Sequence, residues 1–212
     1  MESVCGYAAW VRLPADRRRE QLLDVALKLF ASRGFNATTM DDIAEAAGVT
    51  KPILYQHFKS KRALYLELTG SVADDLLEAI GKATAEAEGP RQQVEKGLAA
   101  YLQAMTTRAD AYGLLFGNVV TNDLELSRAV RQVKSTIAEA IEALIDAGLD
   151  EDHRRMLAYA IVGMVEGASL QFFKTRSSEG QVTMDLDEQE VRKLATRLAD
   201  LAWAGLRSVH RD

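Results

Sequence analysis

Apolar side chains recur every three to four residues through most of this 212-residue chain. That spacing places them on one face of an α-helix, whereas a half-buried strand would alternate apolar and polar residues. No alternating run bounded by an Asn-Gly or Asp-Gly turn interrupts the pattern. The sequence therefore predicts an all-α fold with about nine helices.

The first two helices have clear boundary signals. Helix one is predicted from about Asp16 to Arg33 and ends at Gly34. Helix two begins at Thr38 or Thr39, because either hydroxyl can accept a hydrogen bond from an exposed backbone N–H group at a helix start. Gly48 tolerates the left-handed backbone that ends a helix, so a tight turn is expected there.

A third and a fourth helix follow directly. Thr50 can cap the third, and Pro52 suits its first turn. Ser60 can cap a fourth helix that continues through Ile80, which gives a rod of about 30 Å at 1.5 Å per residue. The first three helices form a helix-turn-helix pattern, and the fourth would link it rigidly to the rest of the chain.

Beyond Gly89 and Pro90 the helical spacing continues to the C-terminus, apart from a predicted flexible loop at 175–185. We divide the chain into a flexible N-terminal arm (1–15), a helix-turn-helix DNA-binding domain (16–62) and a helical ligand-binding and dimerisation domain (63–212). The further helices are predicted at about 90–108, 110–117, 126–147, 151–174 and 186–209.

Net charge is −5, but the charge is unevenly distributed. Residues 1–68 hold ten Lys and Arg against eight Asp and Glu, and residues 69–212 hold sixteen against twenty-three. Between Glu45 and Glu67 there is no acidic residue at all. A local basic patch is therefore expected there, made by Lys51, His57, Lys59, Lys61 and Arg62.

The third helix has one face to pack and one to expose, as a helix that enters the major groove of DNA requires. Leu54 and Phe58, one turn apart, define the packed face. The outward side chains can pair with base edges, touch a thymine methyl group or donate to phosphates, and the Lys61 and threonine side chains can reach phosphates nearby. The predicted DNA contacts are Thr39, Thr50, Lys51, Pro52, Ile53, Tyr55, Gln56, His57 and Lys61.

The segment TTMDDIAEAAGVTKPILYQHFKSKRALY, with the preceding LFASRGF, resembles the DNA-binding segment of the TetR family of bacterial regulators. The resemblance covers about 50 residues, 16–65, and the remaining chain matches only in the number and length of its helices. Its anchor residues are Phe30, Gly34, Thr39, Ile43, Ala44, Gly48, Val49, Leu54, Tyr55, Phe58 and Lys61.

The resemblance implies a homodimer formed by the last two helices and a ligand pocket in the C-terminal part. It also implies that ligand binding releases the DNA, as in a repressor on a palindromic operator; activation remains an alternative. Small residues in the 151–174 helix, Ala160, Gly163 and Gly167, would let another helix approach closely there. No cofactor is implied.

Large apolar side chains in the C-terminal part are candidates for lining a pocket for a small apolar effector. Core packing is the alternative for most of them. Glu166, within an otherwise apolar helix, either recognises a ligand, bridges the dimer or simply reaches solvent. The candidate ligand contacts are Met105, Tyr112, Phe116, Glu166 and Phe172.

Several other classes of protein are disfavoured. The sequence has no nucleophile elbow, zinc-protease motif or phosphate-binding loop, and its three histidines are not clustered, so neither an enzyme nor a metal site is expected. With one cysteine, Cys5, no apolar run of membrane-spanning length and no export signal, the protein is expected in the cytoplasm.

Two alternatives remain beside DNA binding. A helical ligand-binding or scaffolding protein could have kept this fold and lost DNA binding, although the acid-free basic patch argues against it; simple core packing could also explain the Leu54–Phe58 pair. The run Arg17, Arg18 and Arg19, with Arg12 before it, is either a phosphate-contacting arm or a solvated helix face.

Overall fold

A computed structural model describes residues 14–108, 110, 111, 114, 123–145, 148–174 and 187–207. Every regular element in this part of the chain is an α-helix, which confirms the predicted all-α fold. No helix within these ranges is long and apolar enough to cross a membrane. The helices are α1 (Ala15–Ala37), α2 (Met40–Ala46), α3 (Lys51–His57), α4 (Lys61–Ala85), α5 (Pro90–Thr107), α6 (Leu124–Glu142), α7 (Glu151–Lys174) and α8 (Glu188–Leu206).

The first helix ends in a different way from the prediction. Its regular backbone breaks at Gly34, where φ is +79°, but one more turn carries the helix to Ala37. A positive φ is strained for any residue with a Cβ atom, so glycine is required at this break. The break lets Phe35 turn back into the core, where it is 8% exposed.

Only one of the two threonines proposed for the start of α2 caps it. The Thr39 hydroxyl accepts from the Asp42 backbone N–H at 3.1 Å, and Asp42 accepts from the Thr39 backbone N–H at 2.8 Å, which completes a capping box. Thr38 is fully buried instead, and its hydroxyl donates to the Gly34 carbonyl at 2.8 Å. Gly48, with φ of +64°, makes the turn before α3.

Helix α4 joins the helix-turn-helix to the remaining helices. It packs on α1, α5 and α6. Helix α5 also packs on α8, and α6 on α7. One continuous cluster of buried apolar residues runs from Leu22 in α1 to Ala199 in α8.

Several predictions concern residues outside the described ranges. These are the N-terminal arm with Cys5 and Arg12, most of the helix expected at 110–117, and the loop expected at 175–185.

Candidate nucleic-acid interface

Helix α3 is divided into the two faces that the sequence predicts. Leu54 is fully buried and Phe58 is 2% exposed, so these two side chains hold the helix on the core. Tyr55, on the opposite face, is 44% exposed. Of the other predicted contacts on α3, Lys51, Pro52 and Gln56 are exposed, and Ile53 and His57 are half-buried.

The ammonium group of Lys51 is already paired on this surface. Its Nζ lies 2.6 Å from Oδ1 and 2.9 Å from Oδ2 of Asp41, in the first turn of α2. The hydrogen bond to Asp41 and its charge raise the pKa of the Lys51 ammonium. Both side chains are more than half exposed, so the pair can open when a stronger anion approaches.

The two threonines differ in what they offer to a phosphate. Thr39 is exposed, but its hydroxyl is occupied in the capping box, where it also donates to Asp42 at 2.6 Å. Thr50 is exposed at the start of α3, and its hydroxyl makes no capping hydrogen bond. Thr50 is therefore the better placed of the two to donate to a phosphate oxygen.

Lys61, one of the predicted phosphate contacts, makes polar contacts within the chain. Its Nζ donates to the carbonyl groups of Phe35 at 2.7 Å and Thr38 at 2.8 Å, and it lies 4.3 Å from the centre of the Phe35 ring. Partial burial lowers the pKa of this ammonium group. Because two of its three N–H donors are directed to these carbonyl groups, Lys61 ties the start of α4 to the end of α1.

Arg19 has a similar internal role. Its guanidinium donates to the His57 carbonyl at 2.8 Å and to Glu67 at 2.5 Å, and it lies 4.4 Å from the centre of the Phe58 ring. Arg17 instead pairs with Glu20 on the exposed surface. The sequence suggested either a phosphate-contacting arm or a solvated helix face for the arginine run. Neither interpretation includes this internal contact of Arg19.

One basic residue near α3 was absent from the predicted contacts. Lys59 is exposed in the turn between α3 and α4, and no side-chain hydrogen bond or ion pair holds it within the described ranges. The sequence did contain a signal for it, since Lys59 lies in the acid-free stretch between Glu45 and Glu67. Lys59 is therefore a further candidate for a contact with a phosphate.

A second site lies far from α3, in the C-terminal part. A cavity of about 460 Å³ opens between α4, α5, α6, α7 and the end of α8. Its walls are mostly aliphatic, and Arg207 is the charged side chain among them. They include Leu77, Ile80, Gly81, Val94, Leu98, Ile137, Ile141, Ile161, Val165 and Trp203.

Three of the residues predicted to contact a ligand, Met105, Glu166 and Phe172, are not in these walls. Met105 is 2% exposed within the core, and Phe172 packs against the same core. Tyr112 and Phe116 lie outside the described residues. Glu166 pairs with Lys134 of α6 at 2.5 Å and is partly exposed, so within one chain it links α7 to α6.

One face of α7 exposes apolar and small residues. Met156 is 58% exposed and Tyr159 is 47% exposed, and Leu201 on the neighbouring α8 is 60% exposed. Gly163 and Gly167 continue the exposed face of α7, and a Cβ atom added at either would meet nothing within 4 Å. Small residues beside exposed apolar ones suit close packing against another helix.

Comparison with known proteins agrees with this arrangement. A sequence profile described as "Bacterial regulatory proteins, tetR family" matches residues 22–68. The HTH-type transcriptional activator FasR of Mycolicibacterium smegmatis is 35% identical over 155 residues, which are 72% of this chain and 71% of FasR. The HTH-type transcriptional repressor KstR2 of Rhodococcus jostii is 51% identical over 59 residues, 28% of this chain and 29% of KstR2.

The whole fold has a counterpart among solved structures. A TetR-like transcriptional regulator from Rhodococcus sp. RHA1 superposes with a TM-score of 0.74 at 25% identity. The superposition covers 93% of this chain and all of the Rhodococcus chain. The similarity thus extends well beyond the helix-turn-helix into the C-terminal helices.

Proposed function

Since this chain belongs to the TetR family of bacterial regulatory proteins and is a transcriptional regulator, we propose that it is a homodimeric repressor. It binds a palindromic operator through α3 and leaves it when a small apolar effector binds. The observation that carries this proposal is the exposed face of α3, which lies within a stretch of chain that has no acidic residue. Because a bacterial operator lies in the cytoplasm, the protein is proposed to act there.

The chemistry of the α3 face supports base contacts in the major groove. Gln56 has the donor and acceptor needed to pair with adenine, and Ile53 can touch a thymine methyl group. Tyr55, His57 and Thr50 can donate to phosphates on either side. Lys51 can reach a guanine edge once it leaves Asp41. These side chains project from a helix fixed by Leu54 and Phe58, so their spacing is preorganised.

The dimer is proposed to form through the exposed face of α7 and α8. Two copies joined there would present two α3 helices to successive major grooves, about 34–36 Å apart. Gly163→Arg is the variant of choice, because a side chain at this position meets nothing within its own chain. We expect a dimer for the natural protein and a monomer for Gly163→Arg by light scattering.

The control is Gly70→Arg on α4, where an added Cβ atom also meets nothing within 4 Å, and this variant should stay dimeric. A monomeric natural protein would refute this interface.

The effector is proposed to bind in the cavity between α4 and α8. A volume of about 460 Å³ falls within the range of small-molecule sites, and aliphatic walls favour an apolar ligand. Arg207 stands at the end of α8 and has no ion-pair partner within the described ranges. It can therefore meet a polar or anionic end of such a ligand.

Activation is the second candidate, and FasR, which matches most of the chain, is named as an activator. KstR2, which matches over 28% of this chain, is named as a repressor. The same DNA contacts serve both outcomes, since the position of the operator relative to the promoter decides between them. Transcription from the bound promoter, with and without the protein, separates the two.

The test is binding of the purified protein to the DNA that flanks its own gene, at two salt concentrations. We expect sequence-selective binding that weakens at the higher salt, because released counterions drive part of the affinity. Tyr55→Ala should weaken binding to all DNA, whereas Gln56→Ala should lose part of that selectivity. Gln103→Ala, an exposed glutamine on α5, is the matched control and should bind normally. Equal affinity for operator and scrambled DNA would refute the proposal.

A further inference from the structure

Arg62 joins two parts of the chain that are distant in sequence. Its guanidinium makes an ion pair with Asp123 and a second one, at 2.9 Å, with Glu125. Both carboxylates belong to the start of α6, where Asp123 also accepts from the backbone N–H groups of Glu125 and Leu126. One arginine of α4 therefore contacts two carboxylates at the start of α6 through two charge-assisted hydrogen bonds.

The residue before it, Lys61, makes the contacts to Phe35 and Thr38, at the end of α1, described above. Two adjacent side chains in the first turn of α4 thus point to different parts of the molecule. Lys61 fastens α4 to the helix-turn-helix, and Arg62 fastens α4 to α6. If the start of α6 moves, either the Arg62 ion pairs break or α4 moves with it.

Helices α4 and α6 both run from this junction to the cavity. Along α4, Leu77 in the cavity wall lies about 24 Å from Lys61 at 1.5 Å per residue. Along α6, Ile137 in the facing wall lies about 20 Å from Leu124. The two helices pack side by side, tied at one end by Arg62 and separated at the other by the cavity.

We propose that the Arg62 ion pairs with Asp123 and Glu125 are the tie through which α6 transmits occupation of the cavity to the DNA-binding helices. This inference rests on the proposed function, in which a ligand in the cavity changes DNA affinity. While the Arg62 ion pairs hold α4 and α6 together at one end, a ligand that separates the two helices at the cavity end rotates them about Arg62. Lys61 then transmits this rotation of α4 to the turn between α1 and α2. Without the tie, α6 moves alone.

The charges at the junction fit a lasting contact. Asp123 is only 16% exposed, and this burial raises the pKa of its carboxyl. The two backbone donors and Arg62 lower the pKa, and together they hold it below the ordinary value. It therefore remains ionised at neutral pH beside the arginine. Glu125 is 55% exposed and adds a second, weaker anchor.

The test fills the cavity with a side chain, since the natural ligand is unidentified. Gly81 lies in the cavity wall on α4, and a Cβ atom there meets nothing within 4 Å, so Gly81→Phe adds a ring beside this space without a clash at its Cβ atom. Gly81→Ala is the matched control that adds almost no volume. Operator affinity is measured for the full chain with each substitution, in the presence of Arg62 and in an Arg62→Gln background.

With Arg62 present, we expect Gly81→Phe to lower operator affinity about tenfold relative to Gly81→Ala, a coupling of ordinary allosteric size. In the Arg62→Gln background the same comparison should give less than about a twofold change. Comparing the two Gly81 variants within each background removes any direct effect of Arg62 on DNA.

Removing the charges from the other side provides an independent check. Asp123→Asn with Glu125→Gln keeps a good helix cap at position 123 but leaves Arg62 without its partners. It should abolish the effect of Gly81→Phe to the same extent as Arg62→Gln. A merely structural role would lower the unfolding temperature without changing this ratio.

Two results would overturn the inference, and they differ in what else they affect. An equal effect of Gly81→Phe in both backgrounds would show that coupling bypasses Arg62, while the proposed control of DNA binding by the cavity would stand. No effect of Gly81→Phe in either background, in a variant that remains folded, would reject that control and the tie with it.

Discussion

The interior of the helix-turn-helix is filled by side chains, whereas the interior of the C-terminal helices contains a cavity. Around α1 the core is filled, and the rings of Phe30, Phe35 and Tyr65 meet one another at centroid distances of 5.1–5.9 Å. Around α5 and α8 an apolar space of about 460 Å³ is left open. The contrast fits a DNA-binding part that keeps one shape and, under the proposed function, a C-terminal part that takes up a ligand.

The largest expected effect concerns the filled core. Phe30 is 1% exposed, so Phe30→Ala should lower the free energy of unfolding by about 3–5 kcal/mol, as removal of a buried ring usually does. Leu77 borders the cavity and is only partly buried, so Leu77→Ala should cost about 1 kcal/mol or less. Unfolding in urea measures both, and equal losses would contradict the contrast between the two regions.

A smaller effect tests the internal role of Lys61. Lys61→Gln removes an ammonium group that caps two carbonyl groups, and it should destabilise the protein by about 1–2 kcal/mol. Lys59→Gln, two residues away and exposed, should leave stability unchanged but weaken DNA binding and reduce its dependence on salt. Unfolding and DNA titrations of both variants check these two roles. The reverse outcome would place Lys61 at the DNA interface.

The next prediction concerns the Lys51–Asp41 pair. Asp41→Asn releases the Lys51 ammonium and removes a negative charge from the DNA-facing surface. Affinity for scrambled DNA should rise about two- to fivefold, which corresponds to the modest free energy of an exposed ion pair. Glu45→Gln removes a charge from the same helix without that contact, so it should raise the affinity for scrambled DNA less. The affinities are measured by titration with scrambled and operator DNA, and equal affinities of the two variants would refute the prediction.

The smallest effect is a dependence on acid. Hydrogen bonds from the Thr39 hydroxyl and backbone N–H hold the pKa of the Asp42 carboxyl below its ordinary value. A carboxyl with a depressed pKa in the folded state stabilises the protein above its unfolded pKa, about 3.9, and loses this contribution as the pH falls through the folded value. Asp42→Asn should therefore make the midpoint of urea unfolding fall less between pH 5 and pH 3. An identical fall in both proteins would show that the capping box is insensitive to acid.

The DNA-binding part could be predicted from the sequence because its determinants are local. Caps, glycine turns and apolar spacing each act within a few residues, and they identified α2, α3 and the packed side chains Leu54 and Phe58. The choice between Thr38 and Thr39 was not predictable, since both can cap. Only the packed structure buries Thr38 against α1.

The roles of Lys61 and Arg19 and the position of the cavity depend on contacts between distant residues. Nothing near Lys61 in sequence indicates that the carbonyl groups of Phe35 and Thr38 face it. The cavity arises where five helices fail to fill the space between them, so its walls come from separate segments. Large apolar residues such as Met105 were predicted as ligand contacts by size, and size alone does not distinguish a core residue from a cavity wall.

The most direct test of the account is a selection of binding sites from random double-stranded DNA, performed with the natural protein and with Gln56→Ala. The account predicts an enriched inverted repeat with half-sites about one helical turn apart, as expected for a dimer with two recognition helices. It further predicts that Gln56→Ala loses the preference at one position in each half-site and keeps the rest. Failure to enrich any sequence, or an identical preference in both proteins, would contradict the assignment of α3 as the helix that recognises DNA sequence.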